Sequence, residues 1–455
     1  MKILAIETSC DETAIAIAEF GYHREQLRTI KARIDADKNI RVKILSNITS
    51  SQIKLHAKFG GVVPNLAKRE HQRNLPSILI TALIESKLLK ISNFQFSISK
   101  QNLKFKIPKI KHIQNTKYKI LDTILEREPE LLEKFKKQIP PLRPPKIDAI
   151  AVTYGPGLAP ALWVGVNFAK ALAYIWNKPL IPVNHMEGHL YSALLKSGMW
   201  NVKSRNNKQP STFYTLHSIK FPALALLVSG GHTELVLMKG YGKYKIIGET
   251  LDDAAGEAFD KVARLLGLKY PGGPQISALA EIAQKRADLT RTNAEIFPRP
   301  SASVPRNSAR ELRLPRPMMG SGDYNFSFSG LKTAVLYLLE DHPELLRSRW
   351  RKAAIANEFQ NAVVDVLISK TIRAAKEFKV KTVLLGGGVA ANKLLRQRLG
   401  EELQKYTSNT QYLISDTRFT GDNALMIALA AHFGKNKKTK NWQKIFACAN
   451  LRIDD

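Results

Sequence analysis

Two histidines spaced four residues apart are the first residues in this chain whose types and spacing could do chemistry. The segment NHMEGHL places His185 and His189 directly after the apolar, strand-like run PLIPV. On a helix, residues four apart lie about 40° apart around the axis, so both imidazoles could bind one metal ion. Isolated pairs with this spacing are more often structural or incidental than ligands, so a metal site needs a third ligand.

The position of the nearby glutamate argues against a zinc protease. The protease motif HExxH places a general-base glutamate directly after the first histidine. Here Glu187 is the third residue of HMEGH and lies about 200° around a helix from His185. Its carboxylate would point away from a metal that is held by both imidazoles. The spacing therefore disfavours protease chemistry.

A repeated order of strands and helices predicts which residue is the third ligand. The segment AIAVTYGPGLAPALWVGVNFAKALAYI predicts a strand, a glycine turn and a helix, and residues 382–404 repeat that order. A further strand and helix follow each time, and the second helix begins near His185 in one half and near Asp422 in the other. Asp422 is therefore the predicted carboxylate ligand. Two histidines and one carboxylate with open positions are typical of a catalytic metal site.

The elements that must position these ligands form two predicted α/β lobes. Paired strands are predicted for KILAIE with AIAIAEF and again within residues 224–238. Alternating strands and helices favour largely parallel sheets. We predict a first lobe at 1–197, a linker or insertion at 198–218 and a second lobe at 219–455. Three further insertions are predicted, at about 21–41, 87–146 and 286–317.

Three glycine-rich turns follow apolar strands and could bind a phosphate. They lie at residues 155–157, 229–231 and 386–388. Such turns leave backbone N–H groups unshielded by side chains, which suits an anion. One such turn alone is more often an ordinary turn, but three at corresponding strand ends predict a single nucleotide cleft. The chain has no Walker A motif, which excludes a P-loop enzyme.

Composition and charge indicate a globular protein with a polyanionic partner. The 455 residues carry 70 Lys and Arg against 39 Asp and Glu, a net charge of +31. A surplus of this size favours nucleic acid, although solubility or adaptation to a particular cellular environment is the alternative. Two cysteines suit a reducing cytosol, and the sequence shows neither a secretory signal nor a membrane-spanning run. We therefore expect a cytoplasmic protein.

One lysine-rich segment is the candidate contact for that polyanion. Nine lysines and no acidic residue lie between Lys87 and Lys119, with aromatic residues among them. Lysines could track phosphates while a ring stacks on a base. A solvated basic surface is the equal alternative. The four candidate residues are Lys104, Lys106, Lys109 and Lys111.

Taken together, the motifs resemble the TsaD/Kae family of tRNA threonylcarbamoyl transferases, and most closely its bacterial TsaD branch. The similar stretches are IETSCDET, HAKFGGVVPNLAKREH, GPGLAPALWVG, NHMEGHL, LLVSGGHTEL, DDAAGEAFDKVARLLGL, YPGGP, FSFSGLKTAV, NEFQNAVV, GGGVAANKLLR and GDNALMIA. They occur in the family's order over about two-thirds of the chain. The resemblance implies an actin-like (ASKHA) fold of two duplicated RNase H-like lobes around a nucleotide cleft.

The resemblance also implies an activity, a metal and a set of partners. A threonylcarbamoyl group would pass from threonylcarbamoyl-AMP to N6 of adenosine 37 in tRNAs that read codons beginning with adenine, giving t6A. One divalent metal ion, with iron as the first choice and zinc as the second, would be held by His185, His189 and Asp422. A TsaB-like paralogue, a TsaE-like small ATPase and a threonylcarbamoyl-AMP synthase would assist. The donor would be bound by Leu227, Val228, Ser229, Gly230, Gly231, Asp260, Gly273 and Asn392.

The chain departs from the family pattern at three places. Asn65 stands where the motif PExASRxH has a glutamate, so Asp11 and Glu12 are the remaining acid–base candidates. Ala159 and Pro160 replace a Gly-Ser pair, and Pro suits a first helical turn. Ser277 stands where some relatives have a substrate-binding aspartate, and this position is not carried over.

Two other functions compete with this interpretation. One is another enzyme of the same fold, an ATP-dependent kinase or ATPase, which would use transient magnesium instead of a metal bound by two histidines and an aspartate. The other is a non-catalytic, TsaB-like scaffold that activates a partner. Such paralogues lack the metal histidines, which this chain has. A measurement of bound metal would distinguish the kinase or ATPase and the scaffold from the transferase.

Overall fold

A computed structural model gives the arrangement of most of the chain. The residues that it describes are 1–22, 40–89, 95–99, 102–106, 115–140, 142–195, 200–202, 211–296, 312–406 and 409–455. The strands are β1 (Lys2–Glu7), β2 (Glu12–Tyr22), β3 (Ile40–Ser51), β4 (Gln95–Ser99), β5 (Asn102–Lys106), β6 (Ala149–Gly155), β7 (Leu180–Asn184), β8 (Trp200–Val202), β9 (Ser211–Thr215), β10 (Ala223–Val228), β11 (Thr233–Gly240), β12 (Lys243–Glu249), β13 (Thr382–Gly386) and β14 (Gln411–Ile414).

Helices alternate with these strands, as the sequence predicts. The α-helices are α1 (Ile53–His56), α2 (Pro64–Glu85), α3 (Asn115–Ile124), α4 (Pro129–Gln138), α5 (Ala159–Trp176), α6 (His185–Ser192), α7 (Ala255–Leu265), α8 (Gly272–Ile296), α9 (Ser329–Asp341), α10 (Arg349–Glu377), α11 (Lys393–Tyr406) and α12 (Ala424–Phe433). Short 3-10 helices lie at Ala57–Phe59, Pro343–Arg347, Gly388–Ala391, Thr417–Phe419, Lys435–Lys437 and Trp442–Lys444. Among the described residues, every helix is too short or too polar to span a bilayer.

The first compact unit is built on a seven-stranded mixed sheet. It contains Met1–Ile219, Tyr241–Lys243 and Ser415–Asp455, and its strand order is β7-β6-β1-β2-β3-β9-β8. β1 pairs antiparallel with β2 and parallel with β6, which in turn pairs parallel with β7. Alternate β1 residues, such as Leu4 and Ile6, pack into a core with residues of α2 and α5. α12 and α6 pack against each other, and α12 also packs on β1 and β2.

The second compact unit is built on a five-stranded sheet. It contains Lys220–Gly240 and Tyr244–Ile414, with the strand order β12-β11-β10-β13-β14. β10 pairs antiparallel with β11 and parallel with β13, and β13 pairs parallel with β14. Its core brings β10 residues such as Leu226 together with Phe259 of α7 and Phe359 of α10. The two units therefore share the same arrangement of a hairpin followed by two parallel strands.

The division of the chain differs from the predicted lobes after β14. Residues 415–455 belong to the first unit by their contacts, whereas the sequence assigned them to a second lobe at 219–455. The reason lies in α12, whose residues from Ala424 to His432 are all buried. A helix that is apolar on every face must be covered on every face, and β1, β2 and α6 cover it. The predicted linker at 198–218 also lies in the first unit, where β8 and β9 extend the sheet.

The predicted insertions are only partly outside the core. Residues 23–39 of the first lie outside the described residues, as do residues 297–311 of the third. Within the second, Leu121 of α3 and Phe135 of α4 are fully buried and belong to the same core as Phe168 of α5. α3 and α4 therefore form part of the core of the first unit and are not merely a solvent-exposed insertion. The third insertion begins inside α8, which continues to Ile296.

Candidate metal centre and nucleotide site

The two histidines lie at the start of α6, as the sequence predicts. β7 ends at Asn184, whose side-chain oxygen accepts a hydrogen bond from the backbone N–H of Met186 at 2.8 Å. This side chain caps the helix and fixes its first residue. His185 is therefore the first helical residue, and His189 follows one turn later. Both side chains are buried, and His189 is fully so.

Asp422 completes a cluster with the two imidazoles. Its Oδ1 lies 3.4 Å from Nε2 of His185 and 3.2 Å from Nε2 of His189. One possible ligand atom from each of the three residues lies within 4.8 Å of the others. Asn423 caps α12 by accepting from the Met426 N–H at 3.1 Å, which holds Asp422 at the helix entrance. The structure thus brings together the three residues that the sequence selects.

Glu7 and Ser9 orient the first imidazole, and the sequence analysis missed both. Nδ1 of His185 lies 3.1 Å from Glu7 Oε2 and 3.1 Å from Ser9 Oγ. Glu7 is fully buried at the end of β1 and also accepts a hydrogen bond from Thr153. A carboxylate on one ring nitrogen fixes the ring and leaves the other nitrogen facing the cluster. The only signal was an acid at the end of an apolar strand.

The cluster is electrostatically coupled. Burial acts to lower the pKa of His185, but the carboxylates of Asp422 and Glu7 outweigh it and raise that pKa well above its usual range. Burial acts to raise the pKa of Asp422, but the neighbouring imidazoles outweigh it and lower that pKa. Asp422 therefore favours a positive charge beside Nε2 of His185, and that charge can be a proton or a metal cation.

The donor set fits a divalent cation. Nε2 of His185 and Nε2 of the fully buried His189 both face Oδ1 of Asp422, at 3.4 and 3.2 Å. A cation bound by all three atoms would use this convergence of two nitrogens on one carboxylate oxygen. Two imidazoles and a carboxylate match a three-ligand site with open positions. Glu187 does not belong to it, because its Oε2 lies 3.5 Å from Nζ of Lys437.

Of the two acid–base candidates, Asp11 lies in the β1–β2 turn and Glu12 is the first residue of β2. Asp11 is buried, and its Oδ2 has no hydrogen-bond partner within the described residues. Burial, together with the negative charges of Asp422 and Asp11, raises the pKa of the Glu12 carboxyl to about 10. The neutral form of the Glu12 carboxyl is therefore favoured as long as the charge of Asp422 is not compensated. Asn65, the departure from the family motif, is exposed.

The first of the three glycine turns is filled by the protein itself. A side chain at Gly155 would overlap the carbonyl oxygen of Cys448. Gly157 has a φ of +149° and lies against Ser9, and its N–H donates to the carbonyl of Ala449 at 3.1 Å. This turn is therefore a packing site, and the prediction that it binds a phosphate is wrong.

The corresponding turns of the second unit are open. A side chain at Gly230, Gly231 or Gly388 would meet nothing within 4 Å. Between the two turns the backbones approach closely, because Gly387 has a φ of +93° and lies directly against Val228. Only glycine accommodates both requirements. The C-terminal ends of β10 and β13 thus form a glycine-lined surface.

Two of the predicted donor-binding side chains are held next to this surface. Asp260 accepts a hydrogen bond from the N–H of Gly272 at 2.6 Å, which ties α7 to the start of α8, where Gly273 faces open space. Asn392 donates to Gln360 at 2.8 Å and to Ser277 at 3.1 Å. Gln360 is buried inside α10, and its role was not visible from the sequence. It fixes the Asn392 amide.

The lysine candidates are not tested by the structure. Lys104 and Lys106 lie in β5, whose backbone alone is described, and Lys109 and Lys111 lie outside the described residues.

These features define an α/β protein with a two-histidine, one-carboxylate cluster in one unit and a glycine-lined turn site in the other. The family model described as "TsaD: tRNA N6-adenosine threonylcarbamoyltransferase" matches residues 43–93, 126–202 and 209–429. The chain belongs to the TsaD family, as the sequence motifs predict.

Individual relatives match over all or most of their length. The tRNA N6-adenosine threonylcarbamoyltransferase of Thermosipho africanus is 37% identical over 100% of both chains. The Bacillus subtilis protein of the same name is 39% identical over 94% of this chain and 89% of its own. The crystal structure of T. kodakarensis HypF covers 69% of this chain and 45% of its own at 15% identity, with a TM-score of 0.42, too low to support an argument.

Proposed function

We infer that the chain is a tRNA N6-adenosine threonylcarbamoyltransferase, which forms t6A at adenosine 37 of tRNAs that read codons beginning with adenine. The observation that carries this inference is the match to a relative of that name over the full length of both chains. The metal ligands, which a TsaB-like scaffold lacks, are present and clustered. They support the catalytic function over the scaffold and over a kinase that uses transient magnesium.

His185, His189 and Asp422 hold one divalent cation, with iron as the first choice and zinc as the second. The support is the fit of the donor set, in which Nε2 of each imidazole faces the Asp422 carboxylate. When bound, the cation supplies Lewis acidity towards the threonylcarbamoyl carbonyl. Glu7 keeps the proton of His185 on Nδ1, since its carboxylate lies on that side of the ring, and Nε2, which faces Asp422, is the atom that would bind the ion.

The donor, threonylcarbamoyl-AMP, binds at the glycine-lined surface of the second unit. Open backbone at Gly230 and Gly231, in the turn after Leu227, Val228 and Ser229, suits the phosphate. Asp260, Gly273 and Asn392 line the nucleoside position, and Asn392 is already held by Gln360 and Ser277. Asp11 can accept the proton that the attacking amine loses as the new N–C bond forms and AMP departs, and Glu12 is the second acid–base candidate.

The fold consists of two duplicated actin-like (ASKHA) lobes. The support is the shared strand arrangement, in which β7-β6-β1-β2-β3 and β14-β13-β10-β11-β12 follow the same order. The nucleotide cleft stays a prediction. The same holds for the partners, namely a TsaB-like paralogue, a TsaE-like ATPase and a donor synthase, and for the cytoplasmic location.

The metal role is tested with His185→Ala. Turnover should fall by orders of magnitude and bound metal should be lost, while tRNA affinity changes little, because the ligand is replaced and the RNA surface is not. His342→Ala is the matched control, since His342 is an exposed histidine with a side chain 58% exposed. Metal content by mass spectrometry and tRNA binding are measured beside turnover. Near wild-type turnover of His185→Ala would exclude the proposed metal role.

The activity itself is tested by reconstitution. The protein is incubated with tRNA, threonine, bicarbonate, ATP and the helper proteins, and nucleosides are analysed by mass spectrometry. Threonylcarbamoyl-adenosine should form only when the chain is present. A reaction that yields no modified adenosine with this chain, although a relative yields it under the same conditions, would contradict the function.

A further inference from the structure

A chain of buried hydrogen bonds lies behind the β1–β2 turn, which consists of residues 8–11. It runs from His56 through Gln52 and His71 to the carbonyl group of Cys10, and all three of these side chains are buried. His56 and His71 are the first and last residues of HAKFGGVVPNLAKREH, the stretch in which Asn65 departs from the family motif. Neither histidine is a member of the metal centre or of the glycine-lined surface.

The turn determines which nitrogen of His71 carries the proton. Nε2 lies 2.9 Å from the carbonyl oxygen of Cys10, and a carbonyl oxygen can only accept, so the Nε2–H group donates. Burial lowers the pKa of His71 to about 4, so the ring is neutral at pH 7 and Nδ1 is an acceptor. Nδ1 accepts from Oγ1 of Thr13 at 2.8 Å and from Nε2 of Gln52 at 3.4 Å. The imidazole is therefore held on both sides.

The hydrogen bonds beyond His71 all run in the same direction. Oε1 of Gln52 accepts from the Nε2–H group of His56 at 3.1 Å, and Nδ1 of His56 accepts from the backbone N–H of Val63 at 3.2 Å. Each member of the chain therefore donates towards the turn. Hydrogen bonds that are aligned in this way polarise one another, and a satisfied buried network of this kind is rigid.

His71 holds the middle one of three successive carbonyl groups in the turn. The carbonyl groups of Ser9 and Asp11 accept hydrogen bonds from backbone N–H groups, at 2.8 and 3.1 Å. The carbonyl group of Cys10 accepts from a side chain, the imidazole of His71. A substitution can therefore remove the middle hydrogen bond and leave the two backbone hydrogen bonds in place.

The position of the Asp11 carboxylate depends on the backbone of this turn. The side chain is buried, and its Oδ2 has no hydrogen-bond partner within the described residues. The peptide group that His71 holds directly precedes Asp11, so a rotation of this group changes φ of Asp11 and moves its side chain. Misplacement of a reacting group by about 1 Å can lower a rate by about 100-fold.

We propose that His71 is a positioning residue for the acyl transfer, because through the Cys10 carbonyl it holds Asp11 where the carboxylate can accept the proton of the attacking amine. Gln52 and His56 hold His71 in turn. The proposal rests on the proposed function, in which Asp11 is a proton acceptor, and it adds the residues that place this acceptor. The alternative is a purely structural imidazole, whose loss would lower stability and leave kcat of the folded protein unchanged.

The first test compares two amide side chains that differ in reach. In His71→Asn the side chain is too short to donate to the Cys10 carbonyl, whereas in His71→Gln the amide nitrogen reaches the position of the imidazole Nε2. The kcat should fall by about 10- to 100-fold in His71→Asn and stay within about fivefold of wild type in His71→Gln. The KM for tRNA and the metal content should change by less than about twofold in both, because neither the RNA surface nor the metal ligands are altered.

The matched control is the same substitution at a second buried histidine of the first unit. His432 is 6% exposed and stacks on Phe20 with 4.4 Å between the ring centroids, outside the hydrogen-bond chain. His432→Asn should leave kcat within about twofold of wild type, even if its thermal stability falls. Three outcomes would overturn the proposal: a normal kcat in folded His71→Asn, the same loss in His71→Gln, or the same loss in His432→Asn.

The second test asks whether His71 acts through Asp11. Asp11→Asn removes the proton acceptor and should lower kcat by itself. If His71 only positions Asp11, the addition of His71→Asn to this variant should lower kcat by less than a further factor of about three. A further loss as large as that caused by His71→Asn alone would show an independent role and would overturn the proposal.

A variant of the next residue in the chain keeps the proposal testable if His71→Asn does not fold. Gln52→Leu removes the amide beside His71 but keeps the backbone N–H that donates to the Asp11 carbonyl. Its kcat should fall by about 3- to 10-fold, equivalent to the loss of about one hydrogen bond. An unchanged kcat would overturn the proposal.

Failure of this proposal can be distinguished from failure of the proposed function. A normal kcat in Asp11→Asn would remove Asp11 as the proton acceptor, and the positioning role of His71 with it, although the protein would still form the modified adenosine. Absence of threonylcarbamoyl-adenosine with the wild-type protein would instead contradict the proposed function itself.

Discussion

The two units share a strand arrangement and differ in what lies at the strand ends. In the first, β1 and β7 lead to Glu7 and His185, so the ends carry ionisable side chains that belong to the candidate metal centre. In the second, β10 and β13 lead to glycines, and Asn392 is held by an amide network. One strand arrangement therefore carries buried ionisable side chains at its strand ends in one unit and glycine turns in the other, and the difference lies in a few turn residues.

The glycine turns show the same contrast in packing. In the first unit the turn at Gly155 is covered by the backbone of residues 448–449, whereas in the second unit Gly230 and Gly388 face open space. Glycine is required in the first case by contact with the protein. In the second it keeps the surface accessible to a ligand.

The largest expected effect comes from Gly387→Ala. The φ of +93° and the contact with Val228 should make the variant less stable by about 2–4 kcal/mol, because both strain and overlap are introduced. Gly388→Ala is the matched control, since it meets open space at a φ outside the left-handed region, and it should stay within about 1 kcal/mol. Urea denaturation measures both. Equal midpoints would contradict the close approach of these two strands.

Glu7→Gln tests whether the carboxylate beside His185 contributes to metal binding in the first unit. Loss of the negative charge beside His185 should weaken metal affinity by about 10- to 100-fold, because the imidazole becomes a poorer ligand. Glu19→Gln, on the same sheet but with a side chain 44% exposed, should leave metal affinity unchanged. Competition with a chelator gives both affinities. An unchanged affinity in Glu7→Gln would remove Glu7 from the site.

The nucleotide side is tested with Gly230→Ala. The methyl group enters open space, so the free energy of unfolding should hardly change, but it would cover backbone N–H groups. Affinity for a donor analogue should fall by about fivefold, equivalent to about 1 kcal/mol for a lost hydrogen bond. Gly155→Ala should show the reverse pattern, with lower stability and no direct effect on the donor. A stable Gly155→Ala variant would break the contrast between the turns.

A smaller difference between the units should appear in the pH dependence of stability below neutral pH. Burial lowers the pKa values of His71 and His432 to about 4, and both lie in the first unit. These pKa values lie below that of a histidine in the unfolded chain, so above about pH 6.5 neither state binds a proton at these positions and stability is not reduced. As the pH falls from there towards 4, the unfolded chain binds protons that the folded protein does not, and the free energy of unfolding decreases. Between pH 7 and 5.5, His71 alone should cost about 1 kcal/mol.

The measurement is urea unfolding of the wild type and of His71→Asn over this pH range. The variant should show a flatter profile, although it is less stable at pH 7 because hydrogen bonds to Thr13 and the Cys10 carbonyl are lost. Parallel profiles would mean that His71 does not titrate as its burial implies.

Much of the architecture and the histidine–aspartate cluster could be predicted from the sequence, because they depend on patterns of residues that are close together in the chain. The strand–turn–helix repeats gave the positions of β6, α5, β13 and α11, and the repeat selected Asp422. Features that depend on distant contacts could not be predicted. Gly155 looked like a phosphate turn because nothing local shows that residues 448–449 cover it, and Gln360 looked like any polar residue of a long helix.

The return of residues 415–455 to the first unit has a consequence for synthesis of the protein. Asp422 follows the whole of the second unit in the chain, while His185 and His189 precede it. A growing polypeptide therefore exposes the apolar face of β1 and β2 until α12 leaves the ribosome, and before that point it has only two of the three residues of the histidine–aspartate cluster. The cluster can therefore form only after the whole of the second unit has been synthesised.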